Sequence, residues 1–445
     1  MRRLVIGVIS FAVWLATFTV SPVFAATANY TLTPAVASTT YNSVAKYDPV
    51  TAHLMLFSAS SLIPQTDPGL SWLPASPDFD IDLSTARPTP GVYTATWGDS
   101  PLNVANVVIG SNPKVQGSRV LVLVPDYTWA AYNEIGGGSF YASNPYPAHT
   151  AESLDRPFNT NSHLAHLPAN NPIKFLSDWA GGAVDVAAQS DVINLQYNLA
   201  AYHVLVLYGH DEYWTPELRS AIDGAVSNGS NLLNLSGNTG YRDVSVSNRA
   251  ISVTESGSQN NTLTRLGLRT LALTRVIYLG KPTFDFLVGR SENSMGKILK
   301  LAYQNGFPRS KALSLHPKNS VQKFSRILVL VKNDPLFAGV PKDRYGFVSG
   351  GTASLMQGEI DGIPMTPKWK IAHSSWFRFT KSENVVVLAG TWRGANVKPV
   401  GVIVRSTLGR GRIITIGSIS WTSAMVSGDT AAIRITKNAL NLLSR

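Results

Sequence analysis

The chain has 445 residues, a formal net charge of +11 at pH 7 and no cysteine. The absence of cysteine excludes disulfides, a thiolate nucleophile, an Fe–S cluster and zinc bound through cysteine. The positive charge is scattered, so nucleic-acid binding is not favoured, and loose attraction to an anionic cell-wall polymer is the simpler explanation of the charge. A chain of this length has room for two or three domains.

Residues 1–25 have the pattern of a secretory signal peptide. The chain starts MRR, an apolar segment follows at 4–20, and VFA at 23–25 supplies small residues for cleavage. The alternative is a retained membrane anchor, because the apolar segment approaches the length that spans a bilayer. The break at Pro22 favours cleavage, so we expect a secreted or cell-envelope protein that keeps no membrane segment.

The rest of the chain is predicted to form two domains. Residues 26–115 are rich in Thr, Ser, Pro and Ala, and short strand-like segments such as 53–58 and 92–97 alternate with turn residues. This pattern predicts a small β-sandwich, with SNP at 111–113 as the linker. Residues 116–445 are predicted to form a three-layer α/β domain.

The α/β domain is organised around residues 203–236. An apolar run at 204–208 is typical of a strand buried on both faces, and the polar loop GHDEYW follows it at 209–214. Thr215, with a proline after it, predicts the start of a helix, and a second apolar strand lies at 231–236. Such a unit gives parallel strands, and ligands bind at the carboxyl ends of parallel strands. The GHDEYW loop is therefore the leading site candidate.

Further regular elements are predicted on both sides of this unit. Strands are predicted at 119–124, 183–186, 271–279, 326–331, 385–389, 402–405 and 412–417, and helices around 175–179 and at 430–443, with Asp429 as N-cap of the last one. The segments 127–141 and 142–172 are predicted to be irregular. Long irregular segments are often functional.

Six short motifs, in this order, resemble the C-terminal domain of the large subunit of N,N-dimethylformamidase and its relatives. The motifs are TWAAYN at 128–133 with the glycines after it, DRPF at 155–158, GHDEYW at 209–214, SGN at 236–238, GEID at 358–361 and GSISW at 417–421. The likeness covers most of residues 85–425. It implies a flavodoxin-like sheet of the class I glutamine-amidotransferase type.

The resemblance also implies a site. The characterised member of the family hydrolyses an amide with one iron ion that two tyrosines and a glutamate hold. By motif, Glu212 and Tyr132 correspond to metal ligands, and Tyr93, in the segment PGVY, corresponds to the second tyrosine. His210 and Glu359 correspond to catalytic residues beside the metal.

The residue types are consistent with this chemistry. Tyr132 and Glu212 each follow a predicted strand of one sheet, so they can meet if those strands are neighbours. A carboxylate and phenolates are hard oxygen ligands that suit Fe(III) better than zinc, and a tyrosine with a pKa of about 10 needs such an ion to ionise at neutral pH. Glu359 would take a proton from water, His210 would stabilise that water or an oxyanion, and Asn238 would contact the substrate amide.

Each residue also has a purely structural alternative. Tyr132 and Tyr93 could pack in a core or an interface, and Glu212 could stabilise the N-terminus of the helix that follows. His210 could fix the loop through a backbone carbonyl, and Glu359 could belong to a hairpin turn.

Two functions remain open at this point. The first is a secreted, iron-dependent hydrolase of amide C–N bonds whose substrate is a small-molecule amide. The second is a non-catalytic secreted or cell-surface protein that binds a glycan or cell-wall ligand in the same cleft. The secretion signal, the basic charge and the β domain favour the second function, whereas the crowding of polar groups in the GHDEYW loop favours the first. The sequence identifies neither a small partner subunit nor an oligomeric state.

Overall fold

The computed structural model describes residues 29–35, 41–64, 67, 69–140, 149–158, 171–182, 184–237, 239–240, 242–253, 302–305, 323–324, 326–344, 346–350, 355–357, 359–362, 385–392 and 399–445. The predicted signal peptide and the predicted strand at 271–279 lie outside these residues. No helix within the described ranges is long and apolar enough to cross a membrane.

Six strands precede residue 110 in the described part of the chain. They are β1 (Tyr30–Pro34), β2 (Val44–Asp48), β3 (His53–Phe57), β4 (Phe79–Asp82), β5 (Gly91–Trp97) and β6 (Val104–Ile109). β1, β5 and β6 form one antiparallel sheet, and β2, β3 and β4 form another. The two sheets share an apolar core that includes Leu54, Leu56, Trp97 and Ile109. Two small antiparallel sheets therefore occupy the segment for which the sequence predicts a β-sandwich.

The remaining strands and helices belong to the α/β part of the chain. The strands are β7 (Val120–Val124), β8 (Ala151–Ser153), β9 (Asp185–Ala188), β10 (Val204–His210), β11 (Tyr213–Trp214), β12 (Asn231–Gly237), β13 (Arg242–Ser247), β14 (Ala250–Val253), β15 (Ala302–Asn305), β16 (Lys323–Phe324), β17 (Arg326–Val329), β18 (Phe347–Ser349), β19 (Met356–Gln357), β20 (Glu359–Gly362), β21 (Val385–Trp392), β22 (Pro399–Leu408) and β23 (Gly411–Ile416). The helices are α1 (Asp126–Tyr132), α2 (Asn171–Ala180), α3 (Gln189–Asn194), α4 (Pro216–Ser227), α5 (Trp421–Val426) and α6 (Thr430–Leu443), and short 3-10 turns lie at Leu199–Ala201 and Pro335–Phe337.

One large sheet forms the centre of the fold. Its nine strands lie in the order β18-β17-β21-β22-β23-β12-β10-β7-β9. The five strands from β23 to β9 run parallel, whereas β22, β21, β17 and β18 pair antiparallel with their neighbours. The protein therefore has a mixed α/β fold with several sheets and few helices.

The predicted strand–helix–strand unit is confirmed. β10 and β12 are neighbouring parallel strands in which every residue is buried, as a strand covered on both faces requires. The helix between them is α4, and the Thr215 hydroxyl accepts a hydrogen bond from the backbone N–H of Leu218 at 3.1 Å. This side-chain cap satisfies one of the free N–H groups of the first helical turn.

The segment predicted to be irregular after the first strand begins with a helix instead. α1 starts at Asp126, directly after β7, and all its other residues are buried. Its aromatic residues have only moderate helix propensity, so packing on all sides outweighs local preference here. Arg156 stabilises the end of α1, because its guanidinium donates to the carbonyls of Ala130 and Asn133, each at 2.8 Å.

The late strands and the last helix agree with the sequence pattern. The predicted strands at 385–389, 402–405 and 412–417 correspond to β21, β22 and β23. α6 has the predicted bounds, and the Asp429 carboxylate accepts from the backbone N–H of Ala432 at 2.8 Å. Ser111, in the predicted linker, is buried, and its backbone N–H donates to the carbonyl of Val186 in β9 at 2.7 Å.

Candidate functional site

Two predicted site residues meet at the carboxyl edge of the parallel strands. β7 and β10 are neighbours, so α1 after β7 and the GHDEYW loop after β10 lie side by side. The phenol of Tyr132 donates to Glu212 Oε2 at 2.5 Å, although 80 residues separate them. His210 Nε2 lies 3.4 Å from the same oxygen, and its ring centroid lies 4.8 Å from that of Tyr132. We call these three side chains, together with Arg242, the Glu212 cluster.

Arg242 is a member of this cluster that the sequence did not predict. Its Nε lies 3.0 Å from Glu212 Oε1, so the two carboxylate oxygens face different partners. The two-residue strand β11 pairs with β13 in parallel, which aligns Tyr213 with Arg242, and the backbone N–H of Arg242 donates to the Glu212 carbonyl at 2.9 Å. No sequence motif marks Arg242 as a partner of Glu212. Its contact with Glu212 becomes evident only from the pairing of β11 with β13.

The Glu212 carboxylate is buried and charged. Only 2% of Glu212 is exposed. Burial alone raises the pKa of this carboxyl, but the hydrogen bond with His210 and the positive charge of Arg242 outweigh burial and lower the pKa to about 2. The cluster therefore holds a carboxylate anion among hydrogen-bond donors at neutral pH.

Asp211, the next residue back, has a different environment. Its Oδ1 accepts hydrogen bonds from Gln189 Nε2 at 2.7 Å and from Trp214 Nε1 at 2.8 Å. Burial raises the pKa of Asp211 to about 7, because these neutral donors offset burial less than an arginine does. Asp211 thus holds the loop in shape, while Glu212 faces the cluster.

Contacts within α1 and from two further segments hold the GHDEYW loop and α1 together. Thr128 of α1 accepts from the backbone N–H of Tyr213 at 3.0 Å, and the Tyr213 ring lies 5.4 Å from that of Phe140. The buried Arg156 also lies 2.8 Å from the buried carboxylate of Glu152. The DRPF motif therefore has a physical role, because its arginine ties β8 to the end of the helix that carries Tyr132.

The structure places Tyr93 away from the cluster. Tyr93 lies in β5, where side chains alternate between two faces. Its neighbour Val92 belongs to the core of the large sheet, whereas Tyr93 packs on the core of the two small sheets. Its phenol donates to the carbonyl of Thr89 at 2.8 Å. The second metal tyrosine implied by the resemblance is thus not brought together with Tyr132 and Glu212.

The other two predicted residues are Asn238 and Glu359. Asn238 lies outside the described residues. Glu359 is the first residue of β20, which lies against β12 and β22, but its side chain is outside the described part. The backbone of β20 therefore approaches the strand whose carboxyl end adjoins His210.

The donor atoms of the cluster suit a metal in part. Tyr132 and Glu212 present two adjacent, buried oxygen ligands, a hard donor set of the kind that Fe(III) prefers. Among the described residues, no group of three His, Asp or Glu side chains is arranged to hold a metal ion. Two of the three implied ligands therefore fit an oxygen-rich iron site, and Tyr93 is not beside them.

Comparison with known proteins gives one strong match. Residues 67–432 match the sequence model of the family described as N,N-dimethylformamidase beta subunit-like, C-terminal. The chain belongs to this family. Membership confirms the resemblance carried by the six motifs and suggests a dimethylformamidase-like hydrolase.

Other comparisons add little to the family assignment. None of the curated proteins matches the chain. Among solved structures, Gan42B, a GH42 β-galactosidase, is similar over 72% of this chain and 30% of its own length, at 10% identity and a TM-score of 0.32. A similarity of this size carries no argument about the fold or the activity of this dimethylformamidase-like chain.

Proposed function

We propose that this protein is a hydrolase of amide C–N bonds and that the reaction takes place at the Glu212 cluster. The observation that carries the proposal is the contact between Tyr132 and Glu212, beside His210, at the carboxyl edge of the parallel strands. Family membership supports the reaction class. The parallel strands β23 to β9 favour a flavodoxin-like core, and we regard the two small sheets as a β-sandwich.

The chain's own residues would divide the work of amide hydrolysis. His210 Nε2, next to the Glu212 carboxylate, can hold a water or donate to the oxygen that becomes negative in the tetrahedral intermediate. Arg242 keeps Glu212 ionised and fixes its orientation. Glu359, by motif, would take the proton of the attacking water, and Asn238 would contact the substrate amide.

An iron ion is part of the proposal. Tyr132 and Glu212 would hold it, and a bound iron supplies Lewis-acid polarisation of the amide carbonyl. The 2.5 Å contact between the two oxygens supports this assignment, because metal ligands that face one ion lie close together. Secretion, a small-molecule amide substrate and action without a membrane span also remain parts of the proposal.

The first experiment is metal analysis and a visible spectrum of the purified mature protein, with Tyr132→Phe and Tyr93→Phe as matched variants. We expect about one iron per chain and a phenolate-to-iron band that Tyr132→Phe removes. The band should survive in Tyr93→Phe, since Tyr93 packs on another core. A screen of small amides then measures turnover.

Each other result has a definite meaning. Loss of the band in both variants would restore Tyr93 as a ligand. An iron-free, colourless protein without amide turnover, identical in all three forms, would contradict the hydrolase proposal and support the non-catalytic binding protein.

A further inference from the structure

A cavity lies on the other side of α1 from the Glu212 cluster. Its volume is about 170 Å³, and strands β2 and β6, helices α1 and α3, and the DRPF motif line it. Charged side chains from five segments line it, namely Lys46, Asp126, Asp155, Arg156, Asp191 and Arg249. Neither Tyr132 nor Glu212 is among the lining residues.

Helix α1 separates the two sites because its faces differ. Asp126, Trp129 and Ala130 are spaced by three and four residues, which places them on one face of the helix, and all three line the cavity. Thr128 and Tyr132 are four residues apart on the opposite face, where they contact the GHDEYW loop. The cavity is therefore a separate site with its own side chains.

Two carboxylates of the cavity, Asp155 and Asp126, have partners within the protein. Asp155 lies 3.3 Å from Lys46 and accepts from Arg249 Nε with both oxygens at 2.8 Å. Asp126 accepts from the backbone N–H of Ser190 at 3.1 Å. Lys46 and Arg249 thus both pair with Asp155, and among the described residues Asp126 and Asp191 have no direct cationic partner.

Asp191 has no hydrogen bond or ion pair through its carboxylate among the described residues. Protein surrounds this side chain, yet part of its surface stays accessible because it lines the cavity. Burial and the nearby charge of Asp126 raise the pKa of Asp191 to about 7. Arg156 pairs with Glu152, so no cationic side chain among the described residues pairs with Asp191.

Two aromatic side chains form part of the remaining wall, beside serine, asparagine and aliphatic residues. Trp129 and Phe158 both line the cavity, with ring centroids 6.1 Å apart. Indole faces attract cations, and their apolar surface favours a hydrocarbon body. A cavity of about 150 Å³ accommodates a ring the size of benzene. The wall therefore suits a ligand that joins a positive charge to a small apolar body.

We propose that this cavity binds a small organic monocation, an alkylammonium of benzene-like size, whose ammonium group pairs with Asp191. The unpaired carboxylate supplies the charge that the ligand neutralises, and Trp129 and Phe158 contact its apolar part. This inference does not depend on amide hydrolysis at the Glu212 cluster, because different side chains carry it.

The test is isothermal titration calorimetry of the full mature protein with cyclohexylammonium chloride at pH 8 and constant ionic strength. Cyclohexanol is the neutral isostere. We expect saturable binding at one site per chain and at least tenfold weaker binding of cyclohexanol, because a hydrogen bond between charged groups contributes more than a neutral one. Asp191→Asn should weaken cyclohexylammonium binding at least tenfold.

Two controls keep the result specific. Glu212→Gln should leave the affinity for cyclohexylammonium unchanged, since it alters only the cluster across α1. Asp191→Asn should unfold at a temperature no lower than the wild type, which separates loss of binding from loss of folding. Equal affinities for cyclohexylammonium and cyclohexanol, wild-type affinity in Asp191→Asn, a loss in Glu212→Gln or the absence of any binding would each overturn the proposal.

Discussion

Two carboxylates on opposite sides of α1 have pKa values shifted in opposite directions. On one face, the hydrogen bond with His210 and the charge of Arg242 lower the pKa of Glu212 to about 2 despite its burial. On the other, burial and Asp126 raise the pKa of Asp191 to about 7, because Lys46 and Arg249 both pair with Asp155. Burial disfavours the ionised form of both carboxylates, so burial alone does not decide the charge state.

This difference indicates what each face can do. In the Glu212 cluster, Arg242 and His210 face the carboxylate, so Glu212 stays ionised at neutral pH. In the cavity, no cationic side chain among the described residues pairs with Asp191, so a cationic ligand would stabilise its ionised form. Three variants test whether this contrast is real, and the largest expected effect comes first.

Arg156 stabilises α1, the helix between the two sites, because it donates to the last carbonyls of α1 and contacts Glu152. We expect Arg156→Ala to lower the free energy of unfolding by about 3–5 kcal/mol, since it removes a buried guanidinium that contacts Glu152 and donates to two carbonyls at the end of α1. Urea unfolding followed by circular dichroism measures the change. Lys174→Ala is the control. The side chain of Lys174 is 71% exposed and that of its partner Asp178 is 63% exposed, and such an exposed ion pair contributes under about 1 kcal/mol. Similar losses of unfolding free energy in Arg156→Ala and Lys174→Ala would show that the buried contacts of Arg156 do not stabilise α1.

Glu212→Gln tests the cluster face. The variant removes the anion that Arg242 and His210 face, so we expect a loss of about 2 kcal/mol in unfolding free energy at pH 7, less than for a fully buried pair because Arg242 is partly exposed. Glu217→Gln makes the same chemical change at an exposed position of α4 and should stay within about 0.5 kcal/mol. An unchanged stability in Glu212→Gln would mean that Arg242 does not stabilise the folded carboxylate.

Asp191→Asn tests the cavity face, and its effect should have the opposite sign. The pKa of Asp191 is about 7 in the folded chain and 3.8 ordinarily, so the folded chain keeps a proton that the unfolded chain releases. The wild type therefore loses stability as the pH rises from about 4 through 7, and the variant should avoid this loss.

We expect Asp191→Asn to gain about 1 kcal/mol at pH 8 and nothing below pH 4, as measured by chemical unfolding at a series of pH values. Asp178→Asn, at an exposed position, should show no such pH-dependent gain. A stability difference between Asp191→Asn and the wild type that does not change with pH would contradict the raised pKa of Asp191.

Much of the fold could be predicted from local sequence patterns. The apolar run before GHDEYW, the Thr215 cap and the second apolar strand correctly predicted β10, α4 and β12, because buried parallel strands and capped helices each leave a short-range pattern. The meeting of Tyr132 and Glu212 followed from one further condition, that β7 and β10 are neighbours, and they are.

The rest depended on long-range packing that no local pattern records. α1 was expected to be irregular, because its aromatic sequence has no helical period and its burial comes from several directions. Arg242 reaches Glu212 only through the pairing of β11 with β13. The position of Tyr93 depends on which face of β5 covers which core. A motif can identify a residue type, but these contacts are set by the tertiary structure.

The separation along the chain of the residues in the Glu212 cluster also has a consequence for folding. Tyr132 and Glu212 are 80 residues apart, and the strands that carry them pair only after the intervening chain has closed a large loop. Closing such a loop costs entropy before any contact repays it, so the cluster should form late in folding. During synthesis, the ribosome must therefore release the chain beyond β13 before the Glu212 cluster can form, because Arg242 lies in that strand.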